Sequence, residues 1–176
     1  MIFDEKTIES EYIYRGKVIN LRKDKIEQYN GSHHFREIVE HNGGVGIVAI
    51  DKDNKVILVS QFRKPFDEVL VEIPAGKLEK GENPYDCAVR ELEEETGFIP
   101  LKLELMTVIY ASPGFSNEKL YIYFCNNMVK GEVNFDEGEN IVSQHMNFEE
   151  VLNKVCSGEI KDAKTVVGIL MAKNYI

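Results

Sequence analysis

Hydrophobic and polar residues alternate in short stretches along the first forty residues of the chain. Three of these stretches have the pattern of a strand: 11–14, 18–26 and 34–40. An Asn-Gly pair at 30–31 separates the second from the third and is a typical hairpin turn. The Asn-Gly-Gly sequence at 42–44 then marks a boundary. We therefore predict a small antiparallel β-sheet as an N-terminal extension in residues 1–43, and a second domain in residues 44–176.

Longer apolar runs follow this boundary, and turn-forming residues separate them. Six of the runs are predicted as strands: 45–50, 55–63, 69–73, 101–111, 120–126 and 142–146. A helix is predicted at 84–96, because Asn83 suits an N-cap, Pro84 suits the first helical position and Gly97 suits a left-handed end. This mixture of strands and helices predicts an α+β fold, a sandwich in which helices flank a mixed sheet.

Two further helices are predicted near the end of the chain. Asn147 is placed to cap one helix, which Gly158 ends, and Asp162 starts the other. Apolar residues recur at helical spacing in the last helix, so we expect one of its faces to be buried as ordinary core. That face comprises Ala163, Val166, Val167, Leu170 and Met171.

The overall composition narrows the class of protein. The formal net charge is −9, whereas a nucleic-acid-binding surface usually contains a basic patch, so we expect no nucleic-acid partner. No apolar run approaches the ~18 residues of a membrane span, and the first ten residues lack the apolar segment of a signal peptide. The three cysteines are few and far apart, so they imply no disulfide framework. We therefore expect a cytoplasmic protein without a membrane partner.

Three glutamates cluster on one side of the first predicted helix. Glu91, Glu94 and Glu95 stand at positions i, i+3 and i+4, where like charges destabilise a helix by roughly a few tenths of a kcal/mol. A hard divalent cation relieves this repulsion, and Mg²⁺ prefers carboxylate oxygens together with substrate phosphates and water. Gly76 allows the backbone to approach such an ion, and the carbonyl oxygen of Ala75 is a candidate for a further ligand.

A solvated helix face is the alternative explanation for this acidic run. It explains the charges, but it does not explain the glycines at both ends or the offsets of Glu82 and Arg90. The whole segment resembles the Nudix box, Gly-x5-Glu-x7-Arg-Glu-U-x-Glu-Glu-x-Gly-U, in which U is aliphatic or bulky apolar. Every position is filled, by Gly76, Glu82, Arg90, Glu91, Leu92, Glu94, Glu95, Gly97 and Phe98.

The resemblance implies a Nudix-type α/β/α sandwich with a mixed sheet. It also implies a hydrolase of nucleoside diphosphates linked to another group, working with Mg²⁺ or Mn²⁺. By this resemblance Glu91, Glu94 and Glu95 carry the metal ions. The structural part of the motif, which holds the loop and the helix in shape, would be formed by Gly76, Glu82, Arg90 and Gly97.

Two further features resemble the ADP-ribose pyrophosphatase branch of the family. Residues 112–118, Ser-Pro-Gly-Phe-Ser-Asn-Glu, resemble its SPGxxxE segment, which implies that Pro113 and Glu118 contact the substrate. The sequences around Arg36 and Arg63 resemble substrate-side segments, so these arginines would contact the phosphates or the terminal ribose. The alternatives are an ordinary turn and two arginines in exposed strand pairs.

An acidic loop, Asp-Glu-Gly-Glu-Asn, lies at residues 136–140. Attack on a diphosphate requires a deprotonated water, which a loop carboxylate can orient or deprotonate. A glutamate at this point of the chain has that role in the branch, which implies Glu137 as the base and Glu139 as the second choice. Gly138 stands where an acidic or polar residue is common, and a solvated loop is the alternative.

The function implied by these resemblances is metal-dependent hydrolysis of the pyrophosphate bond of ADP-ribose to AMP and ribose 5-phosphate. Tyr12, Tyr14 or Phe35 of the N-terminal sheet are candidates for stacking on the adenine. Analogy with the family implies a homodimer. The alternatives are a nucleotide-sugar pyrophosphatase, a non-catalytic ADP-ribose sensor and an acidic scaffold helix without a ligand.

Overall fold

The computed structural model of the chain describes residues 3–135 and 140–176. These residues form twelve strands: β1 Glu5–Arg15, β2 Asn20–Gln28, β3 His33–Glu40, β4 Gly44–Ile50, β5 Lys55–Arg63, β6 Glu68–Glu72, β7 Ala75–Lys77, β8 Phe98–Pro100, β9 Glu104–Tyr110, β10 Lys119–Cys125, β11 Met128–Lys130 and β12 Ile141–Asn147. They also form three helices: α1 Pro84–Thr96, α2 Phe148–Cys156 and α3 Ala163–Ala172. None of the described helices is both long and apolar enough to cross a membrane.

The chain divides into two compact units. The first comprises Met1–Gly43 together with Tyr110–Lys119, and the second comprises Gly44–Ile109 together with Leu120–Ile176. This division differs from domains of 1–43 and 44–176 by the segment Tyr110–Lys119, which belongs with the N-terminal residues.

An antiparallel sheet of β1, β2 and β3 forms most of the first unit, as predicted. The turn between β2 and β3 uses Gly31, which has a φ of 79° and donates its N–H to the carbonyl oxygen of Gln28 at 2.9 Å. Asp24 of β2 is only 3% exposed, and the Nε of Arg22 donates to its Oδ1 at 2.8 Å. Every residue of β1 is exposed, so this strand contributes little buried surface to the unit.

The second unit is built around a mixed sheet. Its strand order is β12-β5-β4-β10-β9, with β6 paired to β5 and β7 paired to β4. β4 runs parallel to β10 and antiparallel to β5, and it is buried along its whole length. Its side chains alternate between two hydrophobic clusters: Val45, Ile47 and Ala49 pack with α1, whereas Val48 and Ile50 pack with α2 and α3. Helices therefore cover both faces of the sheet, and the predicted α/β/α sandwich is confirmed.

Helix α1 begins and ends where its predicted caps place it. The Asn83 side chain accepts a hydrogen bond from the N–H of Tyr85 at 2.8 Å, and Gly97, with a φ of 72°, donates to the carbonyl oxygen of Glu93. The buried residues of α1 are Cys87, Ala88, Leu92, Glu95 and Thr96. One of the predicted metal ligands, Glu95, is therefore turned towards the interior of the second unit.

Helices α2 and α3 also begin after their predicted N-caps, but the two caps differ. The Asp162 carboxylate accepts a hydrogen bond from the N–H of Thr165 at 3.0 Å, whereas the Asn147 side chain makes no capping hydrogen bond. Because an N-cap side chain stabilises a helix only when it accepts from the first turn, the side-chain cap predicted at Asn147 is not formed.

The buried face of α3 differs from the predicted one. Its buried residues are Lys164, Thr165, Gly168, Ile169 and Ala172. Leu170, which was expected in the core, is 43% exposed. Gly168 provides the reason, because a Cβ at this position would lie 2.7 Å from Cγ2 of Val48. The helix thus approaches β4 on its glycine side. Val166 of the predicted stripe does pack against the core, but Ala163 and Leu170 are exposed, so the prediction was wrong at these two positions.

Candidate active site

The carboxylate of Glu91 lies directly against the backbone of β7. A Cβ added at Gly76 would lie 1.8 Å from Cδ of Glu91, far inside any real contact distance. Strand β7 is held in place by antiparallel pairing with β4, where Gly76 lies opposite Val45. Glycine is therefore required at this position for space, because only a residue without a Cβ leaves room for the carboxylate.

Glu95 lies against the same strand. Its side chain is 4% exposed, and its Oε2 accepts a hydrogen bond from the N–H of Ala75 at 3.0 Å. A carboxylate buried to this degree requires such partners, since an unpaired buried charge is strongly destabilising. The structure therefore brings Glu95 to Ala75 and Glu91 to Gly76, so two of the three predicted metal ligands lie at β7.

Arg90 binds three carboxylates of the same motif. Its Nη1 lies 2.8 Å from Oε1 of Glu91 and 2.9 Å from Oε2 of Glu94, and its Nε donates to Oε1 of Glu82 at 3.2 Å. Burial lowers the pKa of Arg90, but the hydrogen bond to Glu82, the charge of Glu91 and the hydrogen bond to Glu94 outweigh it, so the pKa is raised. The guanidinium therefore offsets part of the repulsion between the carboxylates of the acidic helix.

Glu82 connects this cluster to the loop before α1. Its Oε2 accepts a hydrogen bond from the N–H of Glu79 at 2.8 Å. Burial raises the pKa of Glu82, but the Glu79 N–H and the Arg90 guanidinium outweigh it and lower the pKa. Glu82 thus stays charged and ties the loop to the helix through Arg90, which is the arrangement expected of residues that hold the motif in shape.

Arg63, a predicted substrate contact, binds a buried glutamate on the neighbouring strand. Its Nε and Nη2 donate to the two carboxylate oxygens of Glu72 at 2.7 and 2.8 Å, and Glu72 is 1% exposed. The hydrogen bond to Glu72 raises the pKa of Arg63, and the charges of Glu72 and Glu95 add to it against burial. Arg63 therefore lies within the electrostatic reach of the box, and its contact with a substrate stays a prediction.

Glu72 was not identified from the sequence as a residue that supports the site. Burial raises the pKa of this carboxyl, but the contacts with Arg63 and Lys164 outweigh it and lower the pKa. The available signal was a single charged residue inside the apolar sequence Val-Leu-Val-Glu-Ile at 69–73. Because a buried carboxylate needs a partner, this pattern predicts an ion pair, although it does not identify the partner.

The SPGxxxE segment and the end of β3 meet within the first unit. The N–H of Val39 donates to the carbonyl oxygen of Phe115 at 2.7 Å, and the N–H of His41 donates to Oδ1 of Asn117 at 2.8 Å. Nδ1 of His41 lies 3.3 Å from Oε1 of Glu118. Pro113 is exposed. Two segments that the sequence assigned to the substrate side are therefore neighbours, although their role is a prediction.

Other predicted substrate contacts of the first unit bind residues of their own sheet. Arg36 forms an ion pair with Glu5 of β1, with its Nε 3.0 Å from Oε2. The guanidinium carbon of Arg15 lies 3.9 Å above the ring centroid of Tyr12, and Nζ of Lys23 lies 4.5 Å from that of Phe35. Ligand binding by these groups would replace or extend such contacts. The predicted bases, Glu137 and Glu139, lie outside the described residues.

Comparisons with known proteins match the chain to two described families and to a solved fold. The family described as "NUDIX domain" matches residues 40–165, and the one described as "Nucleoside diphosphate sugar hydrolase N-terminal domain" matches residues 5–39. A solved structure described as "Crystal structure of ADP compounds hydrolase" has a TM-score of 0.87, covering 99% of this chain and 95% of its own at 19% identity. This likeness shows the same fold.

Two curated relatives are similar over nearly their whole length. An "ADP-ribose pyrophosphatase" of Bacillus subtilis is 44% identical over 94% of this chain and 91% of its own. A "Methanol dehydrogenase activator" of Bacillus methanolicus is 42% identical over 96% of this chain and 92% of its own. The sandwich and its acidic helix define a hydrolase of the kind that acts on diphosphates. The chain belongs to the Nudix family.

Nudix hydrolases generally need divalent metal ions, and the donor chemistry of the box fits one. Glu91, Glu94 and Glu95 offer only carboxylate oxygens, the ligands of hard cations, and glycine at position 76 leaves room for the Glu91 carboxylate beside β7. Within residues 3–135 and 140–176, no group of three acidic, histidine or cysteine side chains converges as a ready metal site. In this arrangement two of the carboxylates bind Arg90 and the third binds the N–H of Ala75.

Proposed function

We propose that the protein hydrolyses the pyrophosphate bond of ADP-ribose to AMP and ribose 5-phosphate, with Mg²⁺ as its ion and Mn²⁺ as a substitute. The observation that carries the proposal is the assembled box: Glu91 against Gly76, Glu95 on the N–H of Ala75, and Arg90 bound to Glu91 and Glu94. The substrate is supported by the similarity to the Bacillus subtilis ADP-ribose pyrophosphatase.

The mechanism assigns different tasks to these residues. Glu91, Glu94 and Glu95, with the carbonyl oxygen of Ala75, would hold the divalent ions, which supply charge neutralisation and a water of lowered pKa. A water oxygen attacks one phosphorus, the bond from that phosphorus to the bridging oxygen breaks, and the bridging oxygen leaves with the other phosphate. Glu137, or else Glu139, takes the proton of the attacking water.

Arginines complete the proposed site. The guanidinium of Arg63 binds an oxygen of the diphosphate or of the terminal ribose, because its fork suits phosphate and its charge lies within reach of Glu95. Arg36, Pro113 and Glu118 are proposed as further substrate contacts. Arg90 and Glu82 act through the shape of the loop and helix.

A substrate panel with product identification tests this proposal. The panel comprises ADP-ribose, ADP-glucose, GDP-mannose, a dinucleotide and a nucleoside triphosphate, each with Mg²⁺ and with EDTA. We expect the highest kcat/KM for ADP-ribose, with AMP and ribose 5-phosphate as products by chromatography, and no turnover with EDTA. Turnover that is unaffected by EDTA would refute the role of the ion, and ADP-ribose binding without products would indicate a sensor.

A nucleotide-sugar pyrophosphatase is the second candidate. The observation that favours it is the match of residues 5–39 to the family described as "Nucleoside diphosphate sugar hydrolase N-terminal domain". The same panel separates the two candidates, because a higher kcat/KM for ADP-glucose or GDP-mannose than for ADP-ribose supports the second and contradicts the first.

The proposal includes a homodimer, which the surface of β1 supports. Ile8, Ile13 and Tyr14 are 47, 53 and 57% exposed on this strand, and an exposed apolar strand commonly pairs with another chain. A second copy of the chain is the occupant that we propose, since the family resemblance implies one. Sedimentation should therefore give twice the 20.1 kDa of one chain. A mass of one chain at every concentration would contradict the dimer.

A further inference from the structure

A partly buried cluster of charges links the last helix to strands β5 and β6. Glu72 of β6 is 1% exposed and Lys164 of α3 is 9% exposed. Lys164 forms an ion pair with Glu72 on the same carboxylate that the Arg63 fork binds, and its Nζ lies 3.0 Å from Oδ1 of Asp162. Two cations and two anions thus form one connected cluster, of which Arg63 is the member with the most exposed side chain.

Stability alone is a weak explanation for this cluster. Removing charges from water costs several kcal/mol for each ion, and apolar residues of similar volume are often as stable as a buried ion pair. The neighbours of Glu72 are apolar: Val59 lies opposite it in the sheet and is 1% exposed, and Ile73 follows it and is 0% exposed. The position of the charges therefore requires a further reason.

The first turn of α3 holds the segment that connects the cluster to the box. The hydroxyl of Thr165 accepts a hydrogen bond from the N–H of Ile73 at 2.9 Å and donates one to Oδ2 of Asp162 at 2.6 Å. Two residues further along, the N–H of Ala75 donates to Glu95 of the box. Residues 72–75 are therefore bound on one side by α3 and on the other by a predicted metal ligand.

Arg63 has donors beyond those that Glu72 uses. A guanidinium carries five N–H donors in a fixed plane, and the two contacts with Glu72 use one edge of that plane. The orientation of the other edge is set by the carboxylate, since two parallel hydrogen bonds leave the fork little freedom to rotate. Whatever fixes Glu72 thus also fixes the direction in which Arg63 presents its remaining donors.

We propose that Lys164 is a positioning residue for substrate binding. It holds Glu72, and Glu72 in turn orients Arg63 so that the remaining N–H groups of Arg63 face the diphosphate or the terminal ribose. This inference rests on the proposed function, in which Arg63 contacts the substrate. Lys164 touches neither the substrate nor the reacting atoms. Its effect on the reaction therefore passes through Glu72 and Arg63, and it concerns binding of the substrate more than the chemical step.

The test compares Lys164→Met with Lys161→Met in the full-length protein. Both variants remove one positive charge, but Lys161 is 67% exposed and its Nζ lies 3.9 Å from Glu68, so it serves as the matched control. With ADP-ribose and Mg²⁺, well below the melting temperature of each variant, we expect Lys164→Met to raise KM about tenfold, the effect of losing one charged hydrogen bond between Arg63 and the substrate. Its kcat should change less than about threefold, and Lys161→Met should behave as the wild type.

A double-mutant cycle with Arg63→Gln shows whether the effect passes through Arg63. In the Arg63→Gln background, Lys164→Met should raise KM no further. A purely structural role predicts a lower melting temperature with an unchanged KM, and this result would overturn the inference, as would additive effects on KM. If Lys164→Met does not fold, Lys164→Gln takes its place, because glutamine can still donate a hydrogen bond to Glu72. This variant should raise KM by a smaller factor, and an unchanged KM would again refute the inference.

The outcome for the wild type separates the two levels of the proposal. If the wild type cleaves ADP-ribose and the lysine variant keeps its KM, only the inference about Lys164 fails. If the wild type cleaves no member of the substrate panel, the proposed function fails and the inference fails with it.

Discussion

Replacing Gly76 by alanine should damage the site far more than it damages the fold. The added Cβ would lie 1.8 Å from Cδ of Glu91, and real Cβ atoms essentially never approach another atom within 3.0 Å. The carboxylate must therefore move by roughly 1.2 Å or β7 must shift, and a misplacement of about 1 Å in an active site costs on the order of a hundredfold in rate.

The expected loss in the free energy of unfolding is modest compared with the loss of activity. Overpacking at one position costs about 1 to 3 kcal/mol, and the end of a glutamate side chain can rotate away from the new methyl group. We therefore expect Gly76→Ala to remain folded at room temperature while kcat/KM for ADP-ribose falls about a hundredfold. The measurements are steady-state kinetics with Mg²⁺ and thermal denaturation.

Gly158→Ala provides the comparison for this experiment. Gly158 has a φ of 77°, and an added Cβ would meet no atom within 4 Å, so alanine there introduces backbone strain without a steric clash. Its melting temperature should fall while kcat/KM stays unchanged. If Gly76→Ala kept kcat/KM within about threefold of the wild type, this result would show that the close approach of Glu91 to β7 has no role in the reaction.

Two further predictions concern stability. Oδ2 of Asp51 lies 2.8 Å from Nδ1 of His145. Burial raises the pKa of Asp51, but this contact and backbone N–H groups outweigh it and lower the pKa. The charge of Asp51 therefore stabilises the fold above the unfolded pKa of about 4, and this contribution is lost as the pH falls through the folded pKa. Asp51→Asn should thus flatten the acid side of the stability curve in urea denaturation, and an unchanged slope between pH 5 and pH 2 would count against the ion pair. Gly168→Ala places a Cβ 2.7 Å from Val48 and should cost about 1 to 3 kcal/mol in the same assay, whereas a neutral or stabilising effect would show that α3 does not need its glycine.

Local signals in the sequence located α1 and identified its chemistry. Asn83, Pro84 and Gly97 act within one turn of their own positions, so the helix ends could be predicted without knowledge of the rest of the fold. The box residues could be predicted because their spacing is set by one helix and the loop that precedes it. Fold class followed from the same kind of local pattern, summed over nine strands.

Contacts between distant segments could not be predicted in this way. The buried face of α3 depends on Gly168 against Val48, which are 120 residues apart, and the apolar spacing within the helix favoured another side. The three-residue strands β7, β8 and β11 are too short for a periodic pattern. The pairing of Val39 with the 112–118 segment likewise depends on a contact between residues far apart in the sequence.

Buried ion pairs were the other feature that could not be predicted from the sequence. Glu72 and Lys164 are 92 residues apart, and each is an ordinary charged residue in its own segment. A glutamate between apolar strand residues predicts that some cation is near, but the choice among twenty-one lysines and arginines requires the fold. Sequence reasoning therefore identified the residues that define the family motif, and it missed the residues that support Arg63.

The most direct test of the central claim is Mn²⁺ binding measured by electron paramagnetic resonance. Wild-type protein, Glu91→Gln and Glu93→Gln are compared, because the last variant makes the same charge change on α1 outside the three predicted ligands. We expect the wild type and Glu93→Gln to reduce the signal of free Mn²⁺ to the same extent, and Glu91→Gln to leave most of it. Equal binding by Glu91→Gln and the wild type would contradict the assignment of the box as the metal site.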